Sequence, residues 1–283
     1  MTPEQEAEAY SFHQRTYFDQ PKEVSIETFA RCNARCTFCP YPTMDRIGAK
    51  LPDEVLERLI AEMERWRLPF WLSLFKVNEP LLDKRVLPLM ELVNRRIPKC
   101  RLRLFSNGST LTDANVDRIA SLKRLEHLWV SLNEYRKDEY EALMGISWDH
   151  TTANLDRLHA RDKFPHPVML SCVGHPNEAF RLYCLERWPK FKSTALKRDA
   201  WIDFTNPQNL EVPNGPCWRW FELNITATGK AALCCMDSEA RFGFGDVREK
   251  SLMEIYNHPV FRGWREKLLS RRTVGSPCNG CSY

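Results

Sequence analysis

Between residues 24 and 205, six apolar stretches of strand length alternate with segments of helical period, and this alternation leaves few folds open. The strand candidates are VSIETFA (24–30), FWLSLFKV (70–77), RLRLFSN (101–107), HLWVSLN (127–133), PVMLSCV (167–173) and AWIDFT (200–205). Amphipathic segments lie at 53–67, 83–96, 113–122, 137–144 with 151–160, and 177–190. Several open on capping signals, such as Pro52-Asp53-Glu54 and Thr112-Asp113. Strand, helix, strand, helix implies an α/β chain with a parallel sheet and right-handed crossovers, closed or half closed as a barrel. The rhythm stops near 205, where NPQNLEVPNGP reads as a connector. FELNIT (221–226), a turn at Thr228-Gly229 and KAALCC (230–235) then read as a hairpin, followed by the helix-like SLMEIYNHPVFRGWREKLL. The expected divisions are an N-terminal extension over 1–23, a barrel over 24–210 and a small hairpin-plus-helix unit over 211–283.

The 283 residues suffice for one large core, and 43% hydrophobic with 28% charged residues is ordinary globular usage. The 41 basic and 37 acidic residues are mixed along the chain, so the net charge of +4 forms no basic stripe and no nucleic-acid partner is expected. The first twenty residues are polar and acidic where a signal peptide is basic and then apolar, and no run approaches the ~18 apolar residues of a membrane span. No membrane partner is expected, and a cytoplasmic location is.

In a reducing compartment, eleven cysteines argue for metal rather than for disulfides. Cys100, Cys172 and Cys184 stand apart and read first as small buried hydrophobes. The others form two groups, Cys32, Cys36 and Cys39, then Cys217, Cys234, Cys235, Cys278 and Cys281. The first group, C-x3-C-x2-C, follows the first strand directly, on the side where barrel enzymes build their active sites. No Cys or His occurs between Cys39 and Cys100, so a zinc ion or an ordinary cluster lacks a fourth ligand there. Three thiolates on a four-iron cluster leave one iron open to chelation by the amine and carboxylate of a small molecule.

Cys32, Cys36 and Cys39, with Phe38 before the third, resemble the signature of the radical S-adenosylmethionine (SAM) superfamily, and the resemblance covers residues 24 to about 205. It implies a partial (β/α)6 TIM-like barrel, a SAM-binding [4Fe-4S] cluster and SAM itself. Asn78 and Glu79 of NEP resemble the stretch that holds the SAM amine, which implies the same role for them. Ser106 and Asn107 of SNG, and Ser131 of VSLNE, resemble positions that contact the SAM ribose and carboxylate. SNG is also simply a good turn, and Ser131 also suits a core-facing position. The implied chemistry is electron transfer from the reduced cluster to SAM, loss of methionine and hydrogen abstraction by a 5′-deoxyadenosyl radical. It also implies an electron donor such as flavodoxin or ferredoxin.

The second group, with its C-x-x-C pair and hairpin, fits a zinc ribbon as well as a cluster. However, G-x4-C-C-x-D followed by FGDVRE, SLMEIY and a final Cys278-x2-Cys281 resembles the SPASM appendage of that superfamily in its shortened twitch form. The resemblance implies one auxiliary [4Fe-4S] cluster on Cys217, Cys278, Cys281 and one of the adjacent pair. Neighbours on a strand face opposite ways, so one of the pair binds and one is spare. Spacing from Cys217 favours Cys235 and G-x4-C favours Cys234. The expected ligand is Cys235, with Cys234 packed or acting as a hydrogen donor.

Short appendages of this kind resemble, by size and layout, dehydrogenases and epimerases of aminocyclitol and sugar pathways. The resemblance implies oxidation or epimerisation at a carbinol carbon of a small polar metabolite. Oxidation needs a base, for which His175 after the fifth strand and Asp203 on the sixth are the candidates. Epimerisation needs a hydrogen donor, for which Cys172 and Cys234 are. His175 also suits a turn in GHPN, and Asp203 a capped or buried acid. The alternatives are modification of a ribosomally made peptide, for which the roughly 23 residues before the barrel are fewer than the ~50 of a small recognition domain, and a non-enzymatic iron–sulfur or zinc protein.

Overall fold

The computed structural model describes residues 2–173, 177–196, 201–202 and 211–282. Strands β1 (Glu23–Ile26), β2 (Phe70–Ser73), β3 (Cys100–Ser106), β4 (Leu125–Ser131), β5 (Val168–Val173) and β6 (Lys192–Leu196) form a parallel ladder in chain order. An N-terminal helix α1 (Pro3–Tyr17) precedes it, and the crossovers are α2 (Asp53–Met63), α3 (Val86–Arg96), α4 (Asp113–Ala120), the pair α5 (Lys137–Met144) and α6 (Trp148–Ala160), and α7 (Glu178–Arg187). Thr112 caps α4 through its hydroxyl, as its position predicts. Among the described residues no helix is long and apolar enough to cross a membrane.

Side-chain alternation assigns the two faces of the sheet. Val24, Ile26, Leu72, Leu102, Leu104, Leu128, Val130, Val168 and Leu170 face the helices and are buried with Leu59 and Met63 of α2 and Val86 and Met90 of α3. The inner face instead carries Ser25, Trp71, Ser73, Arg103, Phe105, His127, Trp129, Met169 and Ser171. One face is therefore a core, and the other is polar and aromatic.

The expected hairpin forms as β7 (Glu222–Ile225) and β8 (Ala231–Ala232), but it does not stand apart from the sheet. β7 pairs in parallel with β1, from Glu23↔Glu222 to Ile26↔Ile225, so the sheet order is β6-β5-β4-β3-β2-β1-β7-β8. Gly229 makes the hairpin turn at φ +87°, and a Cβ at Gly243 would lie 1.5 Å from the Ala231 carbonyl oxygen, so only glycine fits there. Helices α8 (Leu252–Tyr256) and α9 (Pro259–Lys267) follow, divided where Pro259 starts a new helix.

Two expectations need correction or extension. The sixth strand is Lys192–Leu196 rather than 200–205; its KSTAL sequence is a weakly patterned edge strand that apolar periodicity overlooks. Trp201 and Ile202 lie in no strand, and the rest of AWIDFT lies outside the described residues. The N-terminal extension is a helix closed by a Thr2/Gln5 capping box. It docks on the C-terminal segment: Tyr10 stacks on Trp218 at 3.8 Å, and Tyr256 Oη donates to the Tyr17 carbonyl at 2.6 Å.

Candidate active site

The loop after β1 carries three cysteines and is held by distant elements. Glu79 N–H donates to the Arg31 carbonyl beside Cys32 at 2.9 Å. Asn33, the next residue, accepts from Asn107 Nδ2 at 2.9 Å and donates to Ser109 Oγ at 2.8 Å, with Asn107 Nδ2 4.0 Å from the Cys32 sulfur. On either side of Cys36, Arg35 N and Thr37 N donate to the carbonyls of Met144 and Leu143 at the end of α5. Cys32 and Cys39 pack on the small cluster of Tyr41, Met44 and Val77. The three sulfurs lie within one another's electrostatic reach. Burial, chiefly, pushes the Cys32 thiol up to about 12, and it raises Cys36 as well. Such thiols keep their protons at neutral pH unless a cationic metal centre displaces them, so the donor set fits an iron–sulfur cluster bound as thiolates.

Glu79 is the hub of the loops around this site. It is 2% exposed, and its Oε1 accepts from Ser106 Oγ and Thr110 Oγ1 at 3.0 Å and from Leu81 N at 3.3 Å, while Oε2 accepts from Asn107 N at 2.7 Å. Three of these donors share Oε1 and one reaches Oε2, which leaves Oε2 an acceptor site to spare. Glu79 thereby fixes the Ser106-Asn107-Gly108 turn. Burial, opposed by these hydrogen bonds, raises its pKa. Asn78 is also buried and accepts from Lys76 N, and its Nδ2 has no protein partner among the described residues. Phe38 is partly buried against the main core, and Ser131 lies on the inner face at the last residue of β4.

The second thiol set converges in space from distant points of the chain. Cys217, Cys234, Cys278 and Cys281 line one cavity with Arg219, Trp220, Leu233, Met236, Arg271 and Pro277. Cys234, and not the expected Cys235, is on that lining. The pair lies past the end of β8, where the chain bends into a turn. Asp237 closes that turn, accepting from the backbone N–H groups of Leu233, Arg241 and Phe242. The Trp220 side chain donates a hydrogen bond to Cys278, and burial is the main cause that pushes this thiol up to about 12. Four cysteines with an indole donor and the cations Arg219 and Arg271 beside Cys217 fit a second cluster.

A buried polar junction joins the two regions. Glu27, after β1, accepts a bidentate pair from Arg46 at 2.8 and 3.0 Å, and also the N–H groups of Val77 and Ala227. Lys76, two residues before Asn78 of NEP, donates to carbonyls of the second thiol loop. Sequence reasoning missed Asn33, Thr110, Met144 and Lys76. Lys76 and Thr110 adjoin motifs that it did identify, whereas nothing local marks Met144.

The inner wall beside the first site is aromatic and polar. Phe75 stacks on Phe105 at 5.1 Å, Phe105 meets Trp129 at 6.1 Å, and Trp129 Nε1 donates to Ser171 Oγ at 2.8 Å. Cys172, expected as a hydrogen donor, points the other way: it alternates with Ser171 on β5, is buried in the helix-facing core, and sits beside Cys184 of α7. His175 and Asp203 lie outside the described residues.

The model for the radical SAM superfamily matches residues 26–181, and the model for SPASM, an iron–sulfur cluster-binding domain, matches residues 217–282. An S-adenosyl-L-methionine-dependent 2-deoxy-scyllo-inosamine dehydrogenase from Niallia circulans is 20% identical over 261 residues, covering 92% of each chain. Among solved structures, BtrN in complex with AdoMet and 2-DOIA superposes with a TM-score of 0.62 at 15% identity over 93% of each chain. SuiB of Streptococcus suis bound to the precursor peptide SuiA gives a TM-score of 0.68 at 14% identity, over 98% of this chain and 74% of SuiB. At these identities the solved structures share the fold.

Proposed function

The chain belongs to the radical SAM superfamily and carries a SPASM iron–sulfur domain, and from that premise we propose that it dehydrogenates a carbinol carbon of a small polar cyclic metabolite of the aminocyclitol or sugar class. When bound, SAM and its [4Fe-4S] cluster supply a 5′-deoxyadenosyl radical that takes a hydrogen atom from an unactivated C–H bond. Cys32, Cys36 and Cys39 hold that cluster, and Asn78, with its unpartnered amide nitrogen, is the side chain we assign to the SAM aminoacyl group. Glu79 keeps Ser106 and Asn107 in place beside it, and Ser131 lines the same mouth. Phe75, Phe105 and Trp129 offer flat apolar surface for the ring of a polyol, with Ser131 at the end of β4 available to its hydroxyls. Cys217, Cys234, Cys278 and Cys281 hold the auxiliary cluster. The reductant is a small electron carrier of flavodoxin or ferredoxin type, and the reaction takes place in the cytoplasm.

The observation that carries dehydrogenation over epimerisation is the attachment of the auxiliary loop to the barrel mouth through Lys76. Converting a carbinol to a carbonyl removes a hydrogen atom, then a proton and an electron, and an electron acceptor beside the site is what that second half requires. Epimerisation requires a hydrogen donor instead; of the two candidates Cys172 faces the helices, which leaves the spare of the Cys234/Cys235 pair. Anaerobic turnover of 2-deoxy-scyllo-inosamine and related polyols in deuterium oxide tests this reading by product mass. A ketone two mass units lighter than the substrate is expected. Carbon-bound deuterium means epimerisation, and stimulation of SAM cleavage by a short peptide but by no polyol overturns the substrate class.

A further inference from the structure

Lys76 is 4% exposed, and its Nζ lies 2.8 Å from the Asp237 carbonyl, 3.2 Å from that of Cys235 and 3.4 Å from that of Cys234. Burial lowers the Lys76 pKa, and the three acceptors oppose this, because they match the three N–H groups that the ammonium has and the neutral amine lacks. Its own backbone N–H is tied to Asn78 Oδ1, and the next residue's N–H to Glu27, so the side chain springs from the loop that carries the SAM-side motif. The cation is within electrostatic reach of the Cys234 sulfur. On the far side of the same thiol set stand Arg219, Arg271 and the Trp220 indole donor. Positive charge and N–H donors close to cluster sulfurs raise a cluster's reduction potential, because they stabilise the added electron.

We infer that Lys76 is a positioning residue for the proposed dehydrogenation: from the β2 loop it holds residues 234–237 at the barrel mouth, and its charge raises the potential of the auxiliary cluster so that this cluster accepts the substrate's electron. This inference rests on the dehydrogenase reading. The carbinol C–H hydrogen leaves to the 5′-deoxyadenosyl radical. Were the auxiliary cluster bound and oxidised, the O–H proton would leave to a base or to water and one electron would pass to that cluster as the C=O bond completes. The auxiliary cluster would then pass its electron to an oxidised one-electron carrier of flavodoxin or ferredoxin type.

The test is an EPR-monitored redox titration of the full chain carrying Cys32→Ala, Cys36→Ala and Cys39→Ala, which leaves only the auxiliary cluster, with Lys76→Met, Lys76→Gln or Lys76→Arg added singly. The midpoint potential is expected to fall with Met and with Gln and to stay near the parent's with Arg. In the otherwise intact enzyme, Met and Gln should make several-fold less ketone per 5′-deoxyadenosine, and Arg should restore the ratio. Gln keeps hydrogen bonds to the loop, so it reports the charge even where Met sheds the cluster. An unchanged potential in the neutral variants that retain the cluster overturns the inference, and so does loss of iron from all three variants. If the potential falls as expected but the parent oxidises no polyol, the dehydrogenase reading fails while the action of Lys76 on the cluster stands.

Discussion

The two thiol sites are held by opposite means. Cys32, Cys36 and Cys39 are neighbours in sequence, yet their loop is tied down by hydrogen bonds to the ends of β2, β3 and α5. Cys217, Cys234, Cys278 and Cys281 are scattered over the last part of the chain, yet they share one cavity walled by Trp220, Leu233, Met236 and Pro277. Ligands supplied by one short loop need an external frame to fix them, whereas ligands supplied by four places in the chain become part of a small core.

The largest effect that separates the sites is on metal and radical generation. Cys36→Ala should abolish SAM cleavage. Cys278→Ala with Cys281→Ala should leave SAM cleavage running but eliminate ketone. Each change should remove about four of about eight irons, read by iron analysis and chromatography of 5′-deoxyadenosine. Equal loss of SAM cleavage in both would erase the contrast. Next, Glu79→Ala strips four buried donors of their acceptor and should cost about 2–4 kcal/mol in a denaturant titration. It should also weaken SAM binding, while the auxiliary iron persists.

The adjacent pair sharpens the comparison further. Cys234→Ser should lower auxiliary iron and Cys235→Ser should not, and the reverse outcome would restore the assignment that spacing suggests. The smallest effect is expected on the inner wall. Trp129→Phe keeps the ring but loses the bond to Ser171, so KM for the polyol should rise a few-fold, in keeping with about 1 kcal/mol for a hydrogen bond.

The sequence made the alternating strands, the first thiol triplet and the terminal C-x-x-C legible because each has a short period or spacing. It made β6 illegible because Lys192, Ser193 and Thr194 carry no apolar rhythm at the sheet edge. The side of the sheet that Cys172 occupies depends on its parity with Ser171 and on the helix above it, which a lone cysteine does not announce. The choice between Cys234 and Cys235 depends on a turn shaped by Asp237. The roles of Lys76 and Glu79 are the least readable, since each bonds to residues far away in the chain. Buried polar groups of this sort show their purpose only once their partners are known.

The parallel pairing of β7 with β1 has a consequence in time. Glu27 and Ala227, joined by a hydrogen bond, lie 200 residues apart, so β1 waits for that length of chain to be made before this edge is covered. Throughout that interval β1 exposes unpaired backbone groups next to the loop bearing Cys32, and such an edge is prone to wrong pairings. Loading of the first cluster thus has a long window while the nascent chain is open, whereas the second site waits for Cys278 and Cys281, which are made later still.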